Sequence, residues 1–360
     1  MAEGLSRRGH DVHVVTYHLG EDPPDATFEI HRIARIPTYS KTSAGPSYQK
    51  LAVLDPLLAF ELRRLLRVHR FDVIHAHHFE GLLVADLARS KRAPPIVFDA
   101  HTLLESELPY YGLGLPRGVK RALGRRLDRW FPGRAEHVIA VTDDIRSRLI
   151  ESGAAAAESV SVIPNGVESD VFAAPRPPRL RNGQPRRLIF TGNLAPYQGI
   201  DFMLDAFRVL RQQRDDVRLT IATEDSFTPY EQTAIDMGIR SFIDVHEVDF
   251  SRVPELLGEA EIALNPRVDC DGLPQKLLNY MAAGRPVVSF AGSAKHLTDG
   301  RHGTVVEDRD VEGFARAIDD LLSDSAWAHG LGTAGRTMVR NELSWEATAA
   351  RVEALYHRVV

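Results

Sequence analysis

The chain has a single cysteine, Cys270, among its 360 residues. That scarcity excludes an internal disulfide framework and fits a reducing compartment. No apolar run approaches the roughly 18 residues that suggest a membrane-spanning helix. The opening MAEGLSRRGHD has no apolar core of a secretory leader either. Positive charge is not in excess: the net charge is −5, so nothing points to a nucleic-acid binder. With 26% charged and 44% hydrophobic residues the composition is not that of a disordered chain. What remains is a cytoplasmic globular protein, longer than one typical domain and with apolar residues enough for two cores.

What is present is a rhythm. Short Val/Ile-rich runs alternate with longer amphipathic segments, the pattern of a parallel sheet with helices on both faces. Strands are predicted at 12–17, 73–76, 96–99, 138–141 and 160–163, and again at 188–191, 218–222, 243–248, 262–264 and 286–290. The fold class is therefore α/β, with two Rossmann-like doubly wound domains at 1–172 and 188–344. Residues 173–187, AAPRPPRLRNGQPRR, are too rich in Pro and Arg for a core element and read as the linker.

The most informative stretch is Asn265 to Phe290, NPRVDCDGLPQKLLNYMAAGRPVVSF, which reads as a loop, a helix and a buried strand. It sets the carboxylate of Asp271 beside a helix amino terminus, where unpaired N–H groups and the helix dipole favour a phosphate. The carboxylate could then meet a sugar attached to that phosphate. This segment resembles the donor-binding signature of retaining glycosyltransferases of family 4, which have the GT-B fold. That signature is Glu, seven residues, Glu, with Gly after the first acid. Aligning Met281, Ala282, Gly284, Pro286 and Val287 puts Asp271 at the first acid, followed by Gly272 and Leu273, and Asn279 at the second. Asn279 keeps an acceptor and an NH2 donor, so it could hold a ribose hydroxyl without the charge.

The resemblance extends over nearly the whole chain. FDVIHAHH (71–78) and FDAHT (98–102) are similar to strand ends of the amino-terminal domain, and the resemblance implies that His101 faces the donor sugar. His75, His77 and His78 are read as structural. VIAVTD (138–143) and VIPNGV (162–167) match a further family run, with Asn165-Gly166 read as a tight turn. RLIFTGNLAPYQGIDFMLDAF opens the second domain and keeps Gly192 and Gly199. Where the family commonly has an Arg and a Lys against the donor diphosphate, this chain has Asn193 and Gln198. The enzyme reading needs replacements, and Arg267 and Lys276 are the candidates. The family also opens with a strand before the helix that ends here in Arg8-Gly9-His10; the expectation is that this first strand is missing because the sequence is incomplete.

The resemblance implies a metal-independent transfer of a sugar, with retention, from a nucleotide diphosphate sugar to a hydroxyl of a glycan or lipid-linked acceptor. Surface polysaccharide or glycolipid synthesis is the expected setting. Asp269 and Asp271 flank Cys270, but two acids in a loop are weak evidence for a cation, and neither metal nor cofactor is expected. The alternative is a relative of low or no activity that binds a nucleotide or glycan as a partner subunit; a GT-B epimerase or phosphorylase is less well supported. Residues 117–134, RGVKRALGRRLDRWFPGR, predict a basic amphipathic helix, either packed by its apolar stripe or lying peripherally on an anionic membrane. A final amphipathic helix, 345–360, is expected to cross back to the first domain.

Overall fold

The computed structural model describes residues 1–40, 49–90, 92–111, 114–172 and 184–360. The chain forms two compact units, one of Met1–Asn165 with Trp345–Val360, the other of Gly166–Ser344. Residues 166–172, assigned to the first half from the sequence, pack with the second unit. There Val167 N–H donates to the Leu343 carbonyl, and Arg336 donates to the Phe172 carbonyl. Most of the expected linker, 173–183, lies outside the described residues, and its end is already strand.

In the first unit the strands are β1 (His13–Thr16), β2 (Glu29–Arg32), β3 (Ile74–His77), β4 (Ile96–Ala100), β5 (His137–Ala140) and β6 (Val160–Val162). β3 to β6 form a parallel sheet in chain order, and β1 and β2 form a separate two-stranded parallel ribbon. β4 and β5 are buried at every position, as strands covered on both faces should be. A cavity of about 510 Å³ is bordered by Val12, Val14, Phe71, Val73 and Tyr356. The final helix, Trp345–Val359, belongs to this unit although the chain reaches it last. Its Ala349, Val352 and Leu355 are fully buried with Val97 and Ile139, and burial of Val352 and of Leu355 contributes about 1.5–3 kcal/mol each.

The second unit holds β7 (Arg186–Thr191), β8 (Val217–Thr223), β9 (Ile243–Glu247), β10 (Ile262–Asn265), β11 (Val287–Phe290) and β12 (Gly303–Val306). They make one parallel sheet in the order β12-β11-β10-β7-β8-β9. The chain therefore builds outward from β7 in one direction and from β10 in the other. The carboxyl ends of these two neighbours, Thr191 and Asn265, open the crevice where ligands bind in such sheets.

Three elements were not anticipated. Glu29–Arg32 and Gly303–Val306 are short edge strands, one with mostly polar residues and the other opening on a glycine. The helix Ser325–Glu342 is hidden by its glycines, which weaken helix propensity. Gly332 is required there by contact: a Cβ would stand 2.2 Å from the Gly284 carbonyl oxygen.

Gly199 caps the helix Ile200–Gln213 with φ +75°, and a Cβ on it would lie 2.1 Å from the carbonyl oxygen of Pro266. Both the left-handed backbone and the close approach demand glycine. Gly199→Ala is expected to lower unfolding free energy by roughly 1–3 kcal/mol, the usual cost of one strained backbone position. Urea unfolding of the two proteins measures it, and an unchanged midpoint would refute the close approach.

Candidate active site

At the end of β7 the chain passes Gly192, with φ +124°, and enters the turn Pro196–Gln198 before Gly199. After β10, residues 266–274 lead into the helix Gln275–Ala282. The two segments meet because β7 and β10 are neighbours and because the Gly199 backbone presses on Pro266. Thr191 at the end of β7 is tied to that helix as well, its N–H donating to the buried Tyr280 hydroxyl at 2.8 Å.

Most of the donor-side residues named from the sequence converge here. The Lys276 ammonium donates to Gln198 Oε1 at 2.5 Å, Gln198 Nε2 donates to Asn193 Oδ1 at 3.1 Å, and Asn193 Nδ2 donates to the Tyr197 hydroxyl at 3.0 Å. Lys276 Nζ also stands 4.1 Å from the centre of the Phe190 ring, and the Arg267 guanidinium lies 4.9 Å from that of Tyr197. Lys276 is partly exposed as a residue, but its amine is desolvated. Burial first, and then the Arg267 charge, push its pKa well below the ordinary lysine value. A cation so placed gains by meeting an anion.

The loop and helix hold the rest. Asp271 is partly buried, while Gly272 and Leu273 are buried and lead to Pro274 at the start of the helix. Asn279 is 7% exposed, and among the described residues its amide makes no side-chain hydrogen bond within the protein. Asn265 braces the loop from below: its Nδ2 donates to Ser289 Oγ at 2.9 Å and Ser293 Oγ at 2.8 Å, and Ser293 Oγ in turn donates to the Arg267 carbonyl. Tyr197, Phe190 and Tyr280 were missed from the sequence. An aromatic residue beside a charged position carries no mark of a contact made across two strands.

His101, in the first unit, sits in a different constellation. Asp99 Oδ2 has His75 Nε2 at 3.2 Å, and His77 Nδ1 and His101 Nε2 both at 3.3 Å. Asn165 Nδ2 donates to His101 Nδ1 at 3.1 Å, so the proton of His101 belongs on Nε2, directed at Asp99. Asn165, read from the sequence as a turn residue, is thus also an orienting partner. Nothing in the spacing of FDAHT marks Asp99 as the centre of this cluster. Only 1% of Asp99 is exposed. Burial acts to raise its pKa, but the charge and hydrogen bond of His101, together with those of His75, outweigh this and hold it far below the carboxylate range. His75 is fixed from its other side by the Tyr356 hydroxyl at 2.6 Å.

The helix Arg117–Trp130 packs by only part of the apolar stripe read from its sequence, Leu127 being partly buried. Its buried residues are Lys120 and Gly124, whereas Val119, Leu123 and Trp130 are 51%, 39% and 65% exposed. Lys120 Nζ turns inward to the Tyr111 carbonyl at 2.7 Å. The outward face joins these three apolar side chains to the exposed Arg126 and Arg129.

Burial and neighbouring histidines push His77 down to about 3 and His78 down to about 4. An unfolded chain takes up these protons near pH 6.5, before the folded one does, so stability rises with pH across that window and falls on acidification. The urea midpoint is expected to drop between pH 6.5 and 4, and to drop less in a His77→Gln/His78→Asn variant; Asn tolerates the φ of +59° at position 78. Identical pH slopes would exclude these histidines as the cause.

A family profile described as Glycosyltransferase Family 4 matches residues 1–171, and one described as Glycosyl transferases group 1 matches residues 185–324. A GDP-mannose-dependent alpha-(1-6)-phosphatidylinositol monomannoside mannosyltransferase of Mycolicibacterium smegmatis is 27% identical, covering 85% of this chain and 81% of the relative. A D-inositol 3-phosphate glycosyltransferase of Geodermatophilus obscurus is also 27% identical, covering 98% and 81%. Among solved structures, sucrose-phosphate synthase from Thermosynechococcus elongatus superposes with a TM-score of 0.79 at 18% identity, covering 99% of this chain and 91% of that one. HepE of Anabaena in complex with UDP-glucose gives 0.72 at 15% identity, covering 96% and 99%.

Proposed function

Because the chain belongs to the glycosyltransferases, a family 4 domain followed by a group 1 domain in the GT-B fold, and so moves a sugar from a nucleotide sugar, we propose that it is a retaining, metal-independent transferase. Its donor is a nucleotide diphosphate sugar seated at the β7/β10 crevice. The observation that carries this reading is the Lys276 ammonium held on Gln198 Oε1. The resemblance places a lysine at position 198, and this chain brings a lysine to the same spot from the opposite loop. Arg267, against Tyr197, stands in for the second missing charge. Lysine has three N–H donors and Gln198 takes one, leaving the others for a phosphate oxygen.

In this reading the C1–O bond to the diphosphate breaks, and its electron pair leaves with the nucleoside diphosphate. The acceptor hydroxyl attacks C1 on the same face, and its proton passes to the departing phosphate oxygen. Positive charge develops on the sugar ring, which the Asp271 carboxylate favours. Lys276, Arg267 and the first amides of the helix Gln275–Ala282 stabilise the leaving diphosphate, each in a place fixed before the reaction. Asn279 is suited to a ribose hydroxyl. On the first unit, His101 is held in one tautomer between Asn165 and Asp99, a fixed polar group for donor or acceptor.

The acceptor we propose is lipid-linked. Support comes from the outward face of Arg117–Trp130, which offers apolar side chains and arginines together, as helices lying on anionic bilayers do. The name of the relative from M. smegmatis is that of a phosphatidylinositol monomannoside mannosyltransferase. No helix among the described residues is long and apolar enough to cross a membrane.

Release of nucleoside diphosphate from a panel of UDP-, GDP-, ADP- and TDP-sugars tests the reaction, with and without added divalent cation. One donor is expected to turn over equally in both, and Lys276→Ala or Asp271→Ala to lose on the order of 10²–10³ in kcat, as removal of one preorganised group does. Moving the charge back, with Gln198→Lys and Lys276→Gln together, is expected to restore activity. Binding of a donor without turnover by a folded chain would instead support the partner-subunit reading.

Sedimentation with phosphatidylglycerol vesicles tests the surface. The chain is expected to pellet with them and not with phosphatidylcholine, and Trp130→Ala/Arg126→Ala/Arg129→Ala to remain in solution. Equal sedimentation by the variant would remove the helix from this role.

A further inference from the structure

We infer that His13, Glu29 and His31 form a binding site for one divalent transition-metal ion, zinc by its chemistry, which clips β1 to β2. The site is separate from the crevice and from the His101 constellation. β1 and β2 run parallel with His13 opposite Glu29 and Val15 opposite His31. Glu29 and His31 are two apart on one strand, so both side chains leave the same face. His13 meets them from the neighbouring strand.

Three ligand atoms converge. His13 Nδ1 and His31 Nε2 are 2.9 Å apart, and Glu29 Oε2 is 3.5 Å from each. The circle through these atoms has a radius of about 1.9 Å, so an ion at the roughly 2.0–2.1 Å of Zn–N and Zn–O bonds reaches all three from just above their plane. A fourth tetrahedral position is left for water or a further ligand. A plain N–H···N hydrogen bond would account for the two histidines alone. Glu29 lies within ion-pair reach of both rings, and its place equally between them suits a third ligand to one ion.

A second observation points the same way. The far nitrogen of His13, Nε2, has Asp11 Oδ1 at 3.4 Å. A carboxylate behind a metal-bound histidine fixes its tautomer and raises its basicity, and this arrangement leaves Nδ1 free to bind the ion. The His13 side chain is only 4% exposed, and the rings of His69 and Phe71 pack on it at 5.0 and 5.1 Å, so the ligand is held in place before binding. Two imidazoles, two carboxylates and a dication leave no net charge.

The ribbon also has use for such a clip. β1 and β2 share no hydrogen-bonded partner strand with the four-stranded sheet among the described residues. A two-stranded ribbon is marginal by itself. An ion joining the strands adds a constraint that the backbone ladder lacks.

The test is titration of the full metal-free chain with Zn²⁺ by calorimetry, and with Co²⁺ by visible absorption. One ion per chain is expected, with intense four-coordinate Co²⁺ bands, a rise in Tm, and slower amide exchange confined to 12–32. His31→Gln and Glu29→Gln are each expected to weaken binding at least tenfold while leaving the metal-free Tm unchanged, and Asp11→Asn about tenfold, as loss of a supporting carboxylate does. His75→Gln, in the other histidine cluster, is expected to leave the affinity unaltered. No stoichiometric binding by the folded chain, or binding that survives His31→Gln and fails in His75→Gln, would overturn the assignment.

Discussion

The candidate site on the second unit depends on one close backbone approach, that of Gly199 to the Pro266 carbonyl. With no Cβ in the way, the turn after β7 settles directly on the loop after β10. Gln198 is thereby buried at the junction, within reach of a lysine that belongs to the opposite loop. The neighbouring loop also rests on this segment, since a Cβ at Gly292 would meet the Val268 carbonyl. Asn265, Ser289 and Ser293 lock the base of the same loop through buried hydrogen bonds. Such bonds are costly to leave unmade, so they hold the loop in one register.

Given that junction, the electrostatics follow. A lysine amine enclosed by an aromatic face and an amide is destabilised as a cation, and Arg267 adds to the strain. A diphosphate would relieve both. At positions 193 and 198, where the family resemblance implies an Arg and a Lys, the chain has Asn and Gln, and the Lys276 ammonium stands on Gln198. The neutral Asn193 and Gln198 remain useful, because they orient the lysine and Tyr197 through a continuous run of hydrogen bonds. Substitution at a charged site is therefore not by itself evidence of lost activity.

The first unit manages polar groups differently. It buries a carboxylate, Asp99, and surrounds it with histidine nitrogens, so that no single partner carries the whole burden of desolvation. The final helix contributes Tyr356 to this arrangement. The ribbon of β1 and β2 gathers a second, smaller set of histidines and carboxylates. Both sets arise because parallel strands bring side chains of the same alternation into register.

Much of this was legible in the residues themselves. Alternating Val/Ile-rich and amphipathic segments identify the α/β class and ten of the strands, since the period of apolar residues reflects which faces are buried. Motifs such as DGLPQKLLN and FDAHT mark the positions of Asp271, Lys276 and His101, because local spacing along a helix or at a strand end is written in the chain. The edge strands Glu29–Arg32 and Gly303–Val306 were not legible, for edges need no apolar pattern. Nor was the outward turn of Val119, Leu123 and Trp130, since amphipathicity fixes which residues share a face but not which face meets the protein. The sequence by itself determined the elements and the chemical groups available. Only the tertiary structure decided that Lys276 reaches Gln198, that Asn165 and Asp99 orient His101, and that His13 meets Glu29 and His31. These pairings join residues far apart in the chain, and their distances depend on strand order and register rather than on local spacing.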